Sequence, residues 1–304
     1  MFCYGGGETF SQNVLLGTTI TSFPEDEVQL VAEKIQTFDL FQFPVSDLNI
    51  LLKAAGENST DVKFQIGNIY DWSMTIEEND IRSPGFQIVE MTNNGPIYHP
   101  KSNVVNTYKG YINGDESQWV RLYVSEHKIG MSFLANGVLY RVAPLSSYLP
   151  GHQYDSSYML FKQSDEVLSE GYCATEMEQS IETSTATPDT PSNVTKVRYL
   201  ELATDIDYEF YDKYKDVGTG SAISNVNARI DEILNEVDRR YAAEPIFLSV
   251  LHIESHIWTT NFDPYSSSND IVEKWDEFRD EWKDNYNCTA RDAAVLFSVG
   301  NLAH

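Results

Sequence analysis

At 304 residues the chain exceeds a typical single domain, which points to two units, each able to bury its own core. Hydrophobic residues at 41% and aromatics at 12%, including 18 Tyr and 15 Phe, exclude a disordered protein despite a net charge of −25. The excess of 46 acidic over 21 basic residues repels phosphate backbones and anionic lipid, so nucleic acid and membrane surfaces are excluded as natural partners; cationic substrates, divalent metals or a plain solvated acidic surface fit the charge.

Residues 1–39 form an N-terminal segment. Its first 11 residues, with Gly5, Gly6 and Gly7, lack the basic and apolar regions of a secretory signal, so the protein is either cytosolic or its true start lies upstream. No stretch reaches the roughly 18 apolar residues that a membrane-spanning helix needs. Residues 40–177 read as a β-rich domain, with strands at 62–66, 85–91, 119–124, 129–133 and 138–142 separated by turns at Asn93-Asn94-Gly95, Asn113-Gly114-Asp115 and Asn136-Gly137. One helix interrupts them, with Ser46 as its cap, Leu48, Leu51 and Leu52 as its apolar stripe and Gly56 near its end. Residues 178–195 fill with Ser, Thr and Pro and read as a linker.

Residues 196–304 change period. A strand at 198–204 precedes a long amphipathic helix in which Ile223, Val226, Ile230, Ile233, Leu234, Val237 and Tyr241 recur until Pro245. A strand follows at 246–258, then a helix carrying Ile271, Trp275, Phe278 and Trp282 behind a Ser/Asn cap at 266–269, then a strand at 292–299. Strands alternating with helices imply a mostly parallel sheet layered with helices. The expected class is therefore α+β in two domains: a β-rich first domain, then a three-layer α/β second domain.

Cys3, Cys173 and Cys288 lie too far apart for a zinc ribbon or a dense disulfide framework. Sequons begin at Asn58, Asn193 and Asn287, a number that chance alone supplies. The run His252-Ile253-Glu254-Ser255-His256 has two His at i and i+4, as in a zinc helix, but Glu254 follows the first His by two places, about 200° round a helix and away from both rings. Read as a strand, it puts Leu251, Ile253 and Ile257 on one face and His252, Glu254 and His256 on a solvated or interface face. The two imidazoles then stand roughly 13 Å apart, too far to share a zinc. No phosphate loop, nucleophile elbow or complete catalytic constellation is present in the sequence.

The runs RYLELATD at 198–205 and YEFYDKY at 208–214, the long helix carrying Asn227, the strand ending in Ile257-Trp258, and RDAAVLFS at 291–298 together resemble, in order and spacing, the opening of a reprolysin (adamalysin-type, metzincin) catalytic domain. YKGYINGDES at 108–117 and NGVLYRVAP at 136–144 resemble the propeptide of the same family. The resemblance implies a secreted zinc metalloendopeptidase in its latent form, acting on protein or peptide substrates and carrying a propeptide that binds its own catalytic domain. It implies that the zinc signature H-E-x-x-H-x-x-G-x-x-H belongs some tens of residues past the third strand, beyond residue 304, so the chain as it stands would hydrolyse nothing. By the same resemblance Cys173 is the thiolate that closes the latent zinc site, a surface thiol or half-disulfide being the alternative. Glu201 and Asp292 align with carboxylates that help hold a structural calcium, a strand-end acid and a capping Asp being the alternative. The competing reading is a non-enzymatic secreted β-domain that binds a protein partner and carries a degenerate protease-like appendage.

Overall fold

The computed structural model describes residues 13–149, 156–167, 198–218, 220–242, 246–265, 270–286 and 289–299. Cys3, Cys173 and Cys288, the 178–195 linker and the 266–269 cap fall outside them. Two units result, one of Met1–Asn79 with Asn106–Val167 and one of Asp80–Val105 with Leu168–His304.

Side-chain alternation builds the first unit. Along the strand Tyr70–Glu78, Trp72, Met74 and Ile76 are buried, while Asp71, Ser73, Thr75 and Glu77 face away from that core. Among the described residues its strands are β1 (Asn13–Thr19), β2 (Phe38–Gln42), β3 (Thr60–Ile66), β4 (Tyr70–Glu78), β7 (Thr107–Ile112), β8 (Asp115–Val124), β9 (Ile129–Ala135), β10 (Val138–Pro144) and β11 (Ser157–Lys162). They close a barrel in the order β1-β2-β11-β10-β9-β8-β7-β4-β3, and the parallel pairing of β1 with β3 completes it. Closure leaves no edge strand to recruit another chain. Asn113 and Gly114, and again Asn136 and Gly137, adopt positive φ at the β7–β8 and β9–β10 connections, as two-residue hairpin turns require.

Phe41, Phe43, Phe64, Trp72, Phe133 and Tyr158 fill the barrel core. Val45, Leu48 and Leu52 of α2 (Val45–Ala55) join it, and the helix ends where Gly56 turns to a φ of 59°. Its start differs from expectation: the helix opens directly after Pro44 with no side-chain cap, so Ser46 lies inside the first turn. A separate cluster under α1 (Glu25–Ala32) gathers Val31, Leu40, Met159 and Phe161.

The second unit contains β5 (Arg82–Thr92), β6 (Gly95–Pro100), β12 (Arg198–Ile206), α3 (Tyr208–Tyr214), α4 (Ala222–Ala242), β13 (Leu248–Trp258), α5 (Ile271–Asn285) and β14 (Ala293–Phe297). Its sheet runs β14-β12-β13-β5-β6. The α4 stripe of Val226, Ile230 and Leu234 packs with Leu202, Ile206, Phe210, Val250 and Ile257, and Ile81 enters the same core. Asp270 caps α5 by accepting the Val272 N–H at 2.9 Å. Among the described residues no helix is long and apolar enough to cross a membrane.

This architecture corrects the expected class. The first unit is a closed barrel, and the second sheet is mixed rather than a parallel layer of its own residues. Two of its strands come from residues 82–100, β5 running parallel to β13 and β6 antiparallel to β5. The reason is nonlocal: β5 and β6 look like any barrel hairpin in sequence, and only their partner, more than 160 positions later, assigns them to the second unit. An ion-paired clasp holds the base of this hairpin. Asp80 takes Arg82 Nε at 2.8 Å and Lys101 Nζ at 2.9 Å, and Lys101 also donates to the carbonyls of Arg82 and Ser83. Burial raises the Asp80 carboxyl, but the hydrogen bonds from Arg82 and Lys101 outweigh it and hold the group below the ordinary carboxylate range.

Candidate functional site

A bulge in β13 decides where its polar residues go. Opposite β12, His252 pairs with Leu202 and Glu254 with Ala203, so Ile253 is the extra residue and the alternation shifts by one. His252 and His256 consequently lie on opposite faces of the sheet. Both are buried, at 0% and 2% exposure, so they neither share the one face expected for them nor stand in solvent. They stand apart because of the bulge as well as the strand rise, and they do not share a metal.

On the α4 face, the Thr204 hydroxyl lies 3.0 Å from His252 Nε2, and His252 Nδ1 lies 3.8 Å from Asp231 Oδ1. The order of groups is that of a hydroxyl–imidazole–carboxylate relay, but 3.8 Å is too long for a hydrogen bond, so the carboxylate end is not connected. Thr204 and His252 are fully inaccessible, so no acyl group can reach that oxygen. The cluster is structural as far as nucleophilic chemistry goes.

On the α5 face, Asp205 is the centre of a polar–aromatic cluster. Its carboxylate, 0% exposed, accepts the indole N–H groups of Trp258 at 2.9 Å and Trp282 at 2.7 Å and the Tyr265 hydroxyl at 2.6 Å. Burial pushes the carboxyl up, while the His256 charge and the three donors pull it back. Burial, then the charge of Asp205, drives the Tyr265 phenol far above its usual value and keeps its proton in the hydrogen bond. His256 stacks on Trp282 at 5.2 Å and meets Tyr286 edge-on at 4.3 Å. Its Nε2 lies 3.2 Å from Glu254, which also takes Gln87 Nε2 at 2.6 Å. Arg291 covers the outer face of the cluster, 4.3 Å over the Trp282 ring.

Trp258, whose indole N–H is fixed by Asp205, also lines a cleft of about 550 Å³ with Thr92, Asn93, Thr260 and Phe262. The cleft sits at the carboxyl ends of β5 and β13, where open sheets with parallel strands place their ligands. Thr260 donates to Asn93 at 2.9 Å, and Phe262 stands 75% exposed at the rim. Nothing in the sequence distinguished this cleft. The available signal for Asp205 was one acid in an apolar strand, followed by Trp and Tyr residues able to donate to it.

Asp263 titrates beside this cluster. It accepts the Tyr208 N–H at 2.7 Å, and burial, then the charges of Glu209 and Asp207, lifts its carboxyl from the usual 3.8 to about 6. A raised folded value means that its contribution to stability is complete below pH 4 and lost as pH rises through 6. Asp263→Asn should therefore melt above the native protein at pH 7.5 and converge with it at pH 4. An equal melting difference at both pH values would contradict this.

No family model matches the chain, and no curated protein matches it either. A solved structure to which it is similar is metalloproteinase-II from Bacteroides fragilis, at 10% identity and a TM-score of 0.41 over 83% of this chain and 68% of that one. The likeness is distant, to a metalloproteinase, and does not extend to the reprolysin type.

Glu201 and Asp292 are brought together: the Asp292 carboxylate accepts the Glu201 N–H at 2.9 Å, and the Asp292 N–H donates to the Glu201 carbonyl at 2.9 Å. Both side chains are exposed. Cys173 lies outside the described residues. Among the described residues no group of three or more His, Cys, Asp or Glu side chains stands close enough to hold a metal ion.

Proposed function

We propose that the chain is the latent-form portion of a secreted zinc metalloendopeptidase, its first half serving as propeptide to its second. One observation supports this most. The β5–β6 hairpin, drawn from the half that resembles a propeptide, supplies two strands of the sheet that carries the peptidase-like segments, and Ile81 at its base enters their core. A segment that lends strands to the sheet of the following half is suited to assist that half's folding. In this reading Cys173 caps the latent zinc, Glu201 and Asp292 offer oxygens to a structural calcium, and the 178–195 segment is where activating proteolysis falls. No step of peptide hydrolysis is assigned to the residues described.

The test uses protein extended in frame beyond His304 and assayed on casein. Proteolysis that appears only after cleavage within 178–195 and is abolished by a zinc chelator is the expected result, with the 304-residue chain itself inactive. Absence of chelator-sensitive proteolysis from the cleaved, extended protein would overturn the reading.

A further inference from the structure

We propose that α4 and β13 together form a binding site for a divalent ion of the zinc class, held by His252 Nδ1, Asp231 Oδ1 and the amide oxygen of Asn227. All three atoms are buried and without a hydrogen-bond partner. His252 is 0% and Asn227 6% exposed. An orphaned buried polar atom costs about 1–3 kcal/mol, so three of them on adjoining elements call for an occupant. Asp231 meets His252 at 3.8 Å, and Asn227, four residues earlier on α4, shares the face of Asp231 and donates to it at 3.1 Å.

The surroundings orient these atoms as metal ligands need. His252 Nε2 lies 3.0 Å from the Thr204 hydroxyl, which itself lies 2.7 Å from Ser255 Oγ; with Thr204 donating to Ser255 it accepts the Nε2 proton, and that tautomer is the one that leaves the Nδ1 lone pair for a metal. Asp231 Oδ2 is held by Asn227 Nδ2 at 3.1 Å, which leaves Oδ1 free to ligate. Two donors each about 2.1 Å from a tetrahedral zinc are about 3.4 Å apart. The observed 3.8 Å between Nδ1 and Oδ1 closes to that by a small rotation of Asp231, and a water completes four ligands. One nitrogen and two oxygens are too few and too mixed for calcium, which takes six to eight oxygens. The rival occupant is a single water, which would confer no metal dependence.

This site uses none of the residues that the peptidase reading assigns, so either can fail alone. The 304-residue chain, stripped with chelator, is titrated with Co²⁺ and then back-titrated with Zn²⁺. The expected result is one equivalent of Co²⁺ giving visible d–d bands without thiolate charge transfer, displaced by Zn²⁺, with a raised melting temperature. Asp231→Asn should weaken binding about 10-fold or more, and Asn227→Asp, which adds a second carboxylate, should tighten it. No Co²⁺ spectrum, a thiolate band, or an affinity unmoved by both substitutions would overturn the proposal.

Discussion

Replacing Asp205 with alanine is expected to cost the second unit about 3–6 kcal/mol, because the indoles of Trp258 and Trp282 and the hydroxyl of Tyr265 each lose their buried acceptor at about 1–3 kcal/mol. The losses are not additive, since the three donors share one carboxylate. Against a total stability of about 5–15 kcal/mol, that is enough to leave the unit marginal or unfolded. Urea denaturation followed by tryptophan emission reads it, since Trp258 and Trp282 both report on the cluster. Asp205→Asn, which keeps one acceptor oxygen, should fall between the alanine variant and the native protein. A midpoint for the alanine variant within about 0.5 kcal/mol of native would show that water or a neighbour replaces the carboxylate.

Gly110→Ala should do comparable harm to the barrel. A Cβ on Gly110 would stand 2.0 Å from the Thr75 carbonyl oxygen and 3.1 Å from the Ile76 Cα, all backbone atoms of the strand paired with it. In an open sheet the two strands could splay. In a closed barrel β4 and β7 are each held on their other side, by β3 and β8, so relief on one side strains the next pairing. The expected loss is about 3 kcal/mol or more, measured as a shifted thermal or urea midpoint. Gly85→Ala is the control: nothing lies within 4 Å of its Cβ position, and its effect should stay within about 0.5 kcal/mol.

The elements that were legible in the sequence are those whose signal is local. Asn113-Gly114 and Asn136-Gly137 announce their hairpins because only such residues tolerate positive φ at both central positions. The α4 stripe shows through 21 residues of helical period. Strand β4 also carries a local signal, since Tyr70, Trp72, Met74 and Ile76 alternate cleanly with polar neighbours. Other features had no local signal. The parallel closure of β1 on β3 and the passage of β5 and β6 into the second sheet are pairings between distant segments. In the candidate site, one bulged residue sent His252 and His256 to opposite faces, which no alternation pattern forecasts.

The hairpin also sets a timetable for synthesis. Gln87 and Glu254, joined across β5 and β13, are 167 positions apart. At translation rates of about 5–20 residues per second, β5 emerges roughly 8–35 s before the strand that will flank it. For that interval Ile88 and Val89 lie on a strand with one edge unpaired, open to any neighbouring nascent chain. Yield should therefore depend on how quickly the ribosome reaches residue 258, and slow codons between the hairpin and β13 should lower the soluble fraction without changing a single side chain.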